Sequence, residues 1–205
     1  MSLFPVFLKL EGRLIAVIGG GNVAEAKIPG VLNAGARIRL IAPAVTPRIT
    51  EWVRLRKIDW LPKEFEARDL EGVFLVVAAT SAHGVNEAVF REAEKRGILC
   101  NAVDDIEHCH FYYGAVVQRG DLQIAISTNG KSPALAQRLR EEFEAQFGPE
   151  YEVWLQWLGA AREALRSNSP SPDTTKRLLH ELASRPMFEQ FIQEAQRRPG
   201  QRGTT

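Results

Sequence analysis

Apolar runs and amphipathic segments alternate through the first hundred residues of the chain. Five short apolar runs predict β-strands at 13–18, 37–42, 58–61, 73–79 and 99–103. Three segments between them have helical spacing, at 22–34, 46–56 and 83–96. The run at 73–79 is apolar throughout, which is typical of a parallel strand covered on both faces. Strands alternating with helices predict an α/β domain with a doubly wound parallel sheet, the Rossmann arrangement.

The ends of these predicted helices carry residues that helix ends favour. Thr46 is a suitable N-cap, with Pro47 in the first turn of its helix. Gly35 and Gly97 follow the other two helices and are suitable C-terminal caps.

The first twelve residues form a lead-in to the sheet. Phe4, Val6 and Leu8 alternate along it as in an edge strand. The segment has neither the basic region nor the long apolar core of a signal peptide, so we do not expect it to direct export.

The pattern changes after residue 110. Two alternating runs, 115–119 and 122–127, flank Gly120-Asp121 and predict a β-hairpin. After a turn at 128–131, a helix is expected from Ser132-Pro133 to Phe147, with a buried stripe of Leu135, Leu139 and Phe143. Because a hairpin and one helix make a poor core alone, we expect this module to bury itself against a second subunit.

Two further helical stretches complete the chain, at 150–166 and 174–198. A polar loop at 167–172 separates them, and the tail from Arg197 to Thr205 is expected to fray. The predicted organisation is a dinucleotide-binding Rossmann domain at 1–112, a dimerisation module at 113–149 and a helical domain at 150–205.

Composition is that of an ordinary globular protein. Among the 205 residues, 45% are hydrophobic and 25% charged, and the net charge is +1. No apolar stretch approaches the roughly 20 residues of a membrane helix. The two cysteines, Cys100 and Cys109, suit a reducing compartment. We therefore expect a cytoplasmic protein with neither a membrane nor a nucleic-acid partner.

A glycine-rich loop follows the first predicted strand. Gly19 allows a tight turn into the helix, Gly21 lets the main chain approach a pyrophosphate, and Ala24 is small enough for close helix–strand packing. The helix N-terminus then offers N–H groups, among them those of Asn22 and Val23, to the phosphates. The loop predicts a dinucleotide site for NAD or a relative.

One element of the dinucleotide fingerprint is missing. An acidic residue usually follows the second strand and binds the ribose, but here the place holds Ala42-Pro43-Ala44. We expect Pro43 to lie beside the cofactor. Arg48 lies too far along the chain to indicate NADP, so the loop alone leaves NAD and NADP open.

Three more polar segments complete the candidate site. Thr80 follows the strand at 73–79, and Asn101 and Asp104 close the strand at 99–103, so all three belong to the ligand-binding edge of the sheet. Thr80 and Asn101 are expected to contact the dinucleotide. The third segment, 127–136, is a second polar loop that leads into a helix.

Seven runs, in this order, resemble the siroheme synthase family in its module for precorrin-2 dehydrogenation and sirohydrochlorin ferrochelation. They are Phe4–Leu8, the glycine loop, Ala78–Thr80, Asn101–Asp104, Phe111–Ala115, Arg119–Leu122 and Ser127–Ala136. The resemblance covers about residues 4–147, and 150–200 match only in being helical. The methyltransferase domain fused to some relatives would need a longer chain, so we expect it to be absent.

The resemblance implies NAD-dependent oxidation of precorrin-2 to sirohydrochlorin, with Fe²⁺ as a further substrate in some members. In the family, one aspartate serves both the oxidation and the insertion of Fe²⁺, and it corresponds to Asp104. The resemblance therefore implies that Asp104 is the general base in the oxidation. The neighbouring Asp105 is expected to point the other way. Whether chelation accompanies oxidation stays open.

The resemblance also implies a homodimer and a tetrapyrrole site. Ser132 corresponds to a residue that lines this site, although its N-cap position offers a structural explanation as well. Lys131, Arg138 and Arg119 are candidates for binding the substrate's carboxylates. Solvated charges on a hairpin and a helix are the alternative for these three.

His108 and His110 would lie on one face of an extended segment and flank Cys109. A dedicated metal site needs more ligands than the sequence supplies here, so we assign no metal-binding residues.

Two other functions are compatible with the glycine loop. An NAD-sensing regulatory module needs no tetrapyrrole site, which would leave the polar loop at 127–132 with no purpose beyond capping a helix. A dehydrogenase of a small substrate usually has a larger catalytic domain than this chain provides.

Overall fold

A computed structural model describes residues 3–168 and 171–197. They form two compact units, which divide between Tyr113 and Gly114. Within these ranges no helix is long and apolar enough to cross a membrane. The tail predicted to fray lies, beyond Arg197, outside the described residues.

The first unit contains a five-stranded sheet. Its strands are β1 (Leu14–Ile18), β2 (Arg37–Ile41), β3 (Asp59–Leu61), β4 (Leu75–Ala78) and β5 (Leu99–Ala102). Their order is β3-β2-β1-β4-β5, and every neighbouring pair is parallel. The connecting helices are α1 (Asn22–Asn33), α2 (Pro47–Arg54) and α3 (His83–Arg96). The predicted doubly wound α/β fold is confirmed.

Strand β1 lies at the middle of this sheet and supplies core residues to both faces. Ile15 and Val17 pack with α1 and α2, while Ala16 and Ile18 pack on the side of α3. All four are at most 1% exposed. Burial on both faces explains why β1 and β4 are continuously apolar rather than alternating.

The predicted caps are confirmed. The Thr46 side chain accepts a hydrogen bond from the Ile49 N–H at the start of α2. Gly35 and Gly97 have φ values of 75° and 65°, the left-handed conformation that ends a helix at little cost for glycine.

The predicted edge strand at the N-terminus is wrong. Residues 3–10 form no strand, and Phe4 and Phe7 are 86% and 68% exposed. The lead-in instead joins the unit through Gly12, whose N–H donates to the Gly35 carbonyl. Alternation alone did not indicate a strand here because the segment pairs with neither edge of the sheet.

The second unit begins with the predicted hairpin. Strands β6 (Ala115–Arg119) and β7 (Leu122–Ile126) are antiparallel, and α4 (Pro133–Gln146) packs mainly on β6. Three helices follow, α5 (Glu150–Asn168), α6 (Pro172–Leu182) and α7 (Arg185–Arg197). They pack on one another, and α5 also contacts β7.

Two expectations for this unit need correction. The stretch at 174–198 is two helices, because Pro186 lacks the N–H that would continue α6 and its ring would clash with the preceding turn. The polar loop is shorter than 167–172, since α5 runs to Asn168 and α6 begins at Pro172.

The apolar stripe of α4 is less buried than predicted. Leu135 is 48% exposed, and Leu139 and Phe143 are half-buried. Ala136 is the buried residue of this helix.

Candidate functional site

The glycine loop joins β1 to α1 and touches the end of β4. Gly19 has a φ of 113°, a conformation that side-chain-bearing residues rarely adopt. A Cβ at this position would overlap the Ala79 carbonyl, with the carbonyl carbon 2.8 Å away. Gly19 is therefore required by the fold itself, as the sequence predicted for a tight turn.

The next two glycines differ in what surrounds them. A Cβ on Gly20 would overlap the Ala44 carbonyl oxygen and come within 2.8 Å of the Val45 side chain, so Gly20 is a packing requirement that the fingerprint did not single out. A Cβ on Gly21 would meet nothing within 4 Å. The protein leaves this space open, directly before the N-terminus of α1.

This opening fits the pyrophosphate of a dinucleotide. Gly21 caps α1 without a side chain, and Glu25 makes the first helical bond, from its N–H to the Gly21 carbonyl. The N–H groups of the first turn, from Asn22 to Ala24, have no partner within the helix. Asn22 and Val23 are exposed while Ala24 is fully buried, as close packing of α1 on the sheet requires.

The end of β2 carries no carboxylate. Ala42 is buried, and its carbonyl accepts a bond from the Trp60 ring nitrogen, whereas Pro43 is exposed. The nearby acidic group is Glu25, which accepts a 2.5 Å hydrogen bond from the Thr46 hydroxyl. Sequence spacing did not reveal this carboxylate because it comes from α1.

Arg48 lies on α2 beside this carboxylate. Its guanidinium is 3.9 Å from Glu25 and lies over the Trp52 ring. Arg48 therefore contacts groups of the protein itself. This agrees with the sequence, in which its position did not indicate NADP.

Asn86 holds the turn after β4. Its side-chain oxygen accepts bonds from the Thr80 N–H at 3.3 Å and from the Thr80 hydroxyl at 2.8 Å, while its nitrogen donates to the Thr80 carbonyl at 3.0 Å. Asn86 is 2% exposed. The sequence predicted Thr80 as a cofactor contact but missed Asn86, which fixes the position of Thr80.

Asn101 holds the segment that returns to β5. Its side-chain nitrogen donates to the Phe111 carbonyl at 2.8 Å and to the Cys109 sulfur at 3.3 Å. This amide nitrogen is already used within the protein.

Burial raises the pKa of the adjacent Cys100 thiol to about 12 and that of Cys109 above its ordinary value, so both thiols stay protonated.

Asp104 lies in a turn at the carboxyl edge of the sheet. The Val103 N–H donates to the Ala78 carbonyl, so this turn adjoins the end of β4 and, through it, the glycine loop. Asp104 has a φ of 61° and is exposed. Across the described ranges its carboxylate has no hydrogen bond or ion pair. A non-glycine residue held in this conformation is a recognised feature of functional sites.

Asp105 is committed elsewhere. Its carboxylate lies 2.7 Å from Nδ1 of His108, and this hydrogen bond lowers the pKa of Asp105. The prediction that the two aspartates point apart assumed a continuing strand, but β5 ends at Ala102 and both lie in the turn that follows.

The two histidines pack on one aromatic ring. Ring centroids of His108 and His110 lie 5.0 and 4.9 Å from that of Phe90. His110 accepts the Cys100 N–H at Nδ1, so Nε2 is its protonated nitrogen and donates to Glu94 at 2.6 Å. The segment is not uniformly extended as expected, because Ile106–His108 is a 3₁₀ turn.

In the second unit, a tight turn presents Ser132. Asn129 and Gly130 both have positive φ, and the Lys131 N–H donates to the Thr128 carbonyl, as in a type I′ turn. The Ser132 side chain accepts a bond from the Leu135 N–H, so its predicted capping position is confirmed. Its hydroxyl proton remains available to a ligand, since capping uses only the oxygen.

The three candidate substrate-binding cations differ in availability. Lys131 is exposed and, among the described residues, has no ion pair. Arg138 is 78% exposed and paired only with Glu142 on its own helix. Arg119 is engaged by the protein: its guanidinium donates to the carbonyls of Phe147 and Glu144 at the C-terminal end of α4, and to the carbonyl of the neighbouring Gln118 on β6.

Comparison with known families divides the chain close to the boundary between the two compact units, which lies between Tyr113 and Gly114. Residues 6–115 match a family model described as putative NAD(P)-binding. Residues 119–146 match a model described as the central part of a sirohaem biosynthesis protein. The two matches cover the two candidate regions, the glycine loop and the hairpin with α4.

Individual proteins give the same result. Siroheme synthase 1 of Serratia proteamaculans is 39% identical over 171 residues, which are 82% of this chain and 36% of the relative. Siroheme synthase 1 of Aeromonas salmonicida is 35% identical over 184 residues, 90% of this chain and 39% of the relative. The chain thus spans little more than a third of the length of these curated relatives.

A solved structure matches over nearly the whole chain. It is described as SirC, precorrin-2 dehydrogenase, and superposes with a TM-score of 0.78 at 30% identity. The match covers 96% of this chain and 100% of that one.

Proposed function

The chain belongs to the siroheme synthase family, and on that basis we propose that it oxidises precorrin-2 to sirohydrochlorin with NAD⁺. The observation that carries the proposal is the match to a precorrin-2 dehydrogenase structure, which covers 96% of this chain and 100% of that one. The open space before α1 supports it from this chain's own geometry.

NAD⁺, when bound, supplies the acceptor for the two electrons and one hydrogen that leave precorrin-2. We assign its binding to the carboxyl edge of the sheet. Gly21 and the first turn of α1 would hold the pyrophosphate, and Gly19 shapes the turn. The full set of proposed cofactor contacts is Gly19, Gly21, Asn22, Val23, Ala24, Pro43, Thr80 and Asn101.

Asp104 is the proposed general base for the second hydrogen, which leaves precorrin-2 as a proton. Its carboxylate is exposed, is held at a positive φ and is at the same edge as the glycine loop. A carboxylate without a competing partner is able to accept that proton, whereas Asp105 is committed to His108.

The second unit supplies the proposed contacts to the substrate. Ser132 offers its hydroxyl proton, and Lys131 and Arg138 offer charge to the substrate's carboxylates. Arg119 is left out of this set because its donors already bind carbonyls at the end of α4.

A homodimer is part of the proposal. Leu135 on α4 and Val116 on β6 are 48% and 44% exposed, and within the described part of this unit the buried apolar residues are Val117, Ala136 and Phe188. Apolar surface left open on a small module favours its burial against a second copy. We also place the protein in the cytoplasm, where the protonated thiols of Cys100 and Cys109 would persist.

The test is an anaerobic assay of the purified protein with precorrin-2 and either NAD⁺ or NADP⁺. We expect the sirohydrochlorin absorption band to appear with NAD⁺ and much more slowly with NADP⁺. Protein that binds NAD⁺ yet leaves precorrin-2 unchanged would instead support the regulatory module. A second incubation, of sirohydrochlorin with Fe²⁺ against a control without protein, decides whether the chain also inserts the metal.

A further inference from the structure

A cavity of about 550 Å³ lies between α5 and α6, within the second unit. Basic side chains enter it from both helices, Arg162 and Arg166 from α5 and Lys176 and His180 from α6. The remaining lining residues are Ser171, Pro172, Thr175 and Leu179. The described lining therefore contains three permanent cations and a histidine but no carboxylate.

Three arginines of this unit that lie outside the cavity are neutralised on their own helices. Each has a glutamate four residues along: the pairs are Arg138–Glu142, Arg140–Glu144 and Arg185–Glu189. Within residues 3–168 and 171–197, none of the four basic groups of the cavity forms such a pair. This lack of a pair separates the four cavity groups from those three arginines.

The spacing of the four groups makes their arrangement unfavourable without a ligand. Arg162 and Arg166 are four residues apart, as are Lys176 and His180, so each helix places like groups next to each other. All four are exposed, as Arg177 on α6 is, but they line one cavity from two helices in a chain whose net charge is only +1.

The donors of the cavity determine what it would bind. The hydroxyl of Thr175 already donates to the Ser171 carbonyl, so the charged groups supply the hydrogen bonds to a ligand. Guanidinium groups bind carboxylates through two parallel bonds, and two arginines four residues apart on a helix have Cβ atoms about 5–6 Å from each other. Leu179 and Pro172 give the wall an apolar part.

We propose that this cavity is a binding site for a polycarboxylate anion, distinct from the dinucleotide site. Resting on the proposed function, the tetrapyrrole is one source of that chemistry, because eight carboxylates surround its apolar macrocycle. A free small polycarboxylate is the other source. Either ligand would relieve the repulsion between Arg162 and Arg166.

The experiment is calorimetric titration of the whole chain with sirohydrochlorin and, separately, with citrate. The double variant Arg162→Gln/Arg166→Gln removes the charge of one wall, and Lys176→Gln removes a single charge should the double variant fold poorly. Arg177→Gln is the matched control, since it removes one charge from α6 outside the cavity. We expect the cavity variants to bind about tenfold more weakly or worse, and the control to bind as wild type.

The two ligands distinguish the sources. If the cavity variants bind sirohydrochlorin more weakly and citrate competes for the same site, the result supports the tetrapyrrole as the ligand. If the variants lose only citrate binding, the result supports a free small anion. Equal binding of both ligands by the cavity variants and Arg177→Gln would overturn the site. NADH formation from precorrin-2, measured on the same proteins, separates failure of the cavity from failure of the dehydrogenase.

Discussion

Asn86 and Thr80 are joined by hydrogen bonds in both directions, with the Thr80 N–H donating to the Asn86 side-chain oxygen and the side-chain nitrogen donating to the Thr80 carbonyl. One buried amide on α3 thus replaces the sheet bonds that Thr80 loses where β4 ends. At the edge of the sheet where we propose that the cofactor binds, a side chain holds the backbone in place of the hydrogen bonds between strands.

Replacing Asn86 by Leu should therefore destabilise the protein and weaken dinucleotide binding together. Two backbone groups of the half-buried Thr80 would lose their partner, which costs roughly 2–4 kcal/mol. Urea unfolding measures this loss, and Glu87→Ala, which removes only a surface ion pair with Arg91 on α3, is the control. If Asn86→Leu unfolds at the same urea concentration as that control, the amide does not hold the turn.

Gly19 and Gly21 should respond in opposite ways to alanine. Gly19→Ala forces a side chain against the Ala79 carbonyl at a φ of 113° and should cost about 2–4 kcal/mol of stability. Gly21→Ala enters open space at an ordinary φ of −85°, so the fold should stay intact while NAD⁺ affinity falls about tenfold or more. Thermal unfolding and NAD⁺ titration of both variants separate the effects. An unchanged NAD⁺ affinity in Gly21→Ala would contradict the assigned pyrophosphate position.

The contact between Asp105 and His108 should matter least in acid. The pKa of Asp105 is lowered in the folded protein from 3.8 by the hydrogen bond with His108. The unfolded chain then binds the proton first as pH falls, so the contribution is full well above pH 3.8 and is lost as pH drops through the lower folded value. Urea unfolding of wild type and Asp105→Asn at neutral and acid pH should show a difference that shrinks in acid. A difference in stability that grows in acid would contradict a lowered pKa of Asp105 in the folded protein.

The exposed side of α4 should carry the dimer contact. Leu135→Glu places a charge where the proposed second subunit packs, so the variant should be monomeric by light scattering at a concentration where wild type is a dimer. Gln137→Glu, also exposed on α4, adds the same charge and should leave the mass unchanged. A monomeric wild type would contradict the dimer itself.

The sequence predicted those parts of the fold that follow from local patterns. Continuous apolar runs placed the strands, and the spacing of Gly19, Gly21 and Ala24 indicated the dinucleotide loop, because turn geometry and strand burial depend on near neighbours. Thr46 and Ser132 were predicted as caps for the same reason, and both side chains accept the expected N–H.

Residues whose partners are distant in the chain were not predictable in this way. Arg119 was expected to bind substrate, but its partner at 2.8 Å is the carbonyl of Phe147, 28 residues away. Asn86 gave no signal, since a polar residue on a helix is usually exposed. The apolar alternation at Phe4 failed as a strand prediction because pairing depends on a neighbouring edge that the segment itself does not specify.

The most direct test of the account is NADH formation from precorrin-2 by wild type, Asp104→Asn and Asp105→Asn under anaerobic conditions. Wild type should yield equal amounts of NADH and sirohydrochlorin. Asn also tolerates the positive φ of position 104, so Asp104→Asn should fold and bind NAD⁺ normally while its kcat falls about 100-fold or more, and Asp105→Asn should remain close to wild type. Absence of NADH in the wild type, or full turnover in Asp104→Asn, would contradict the account.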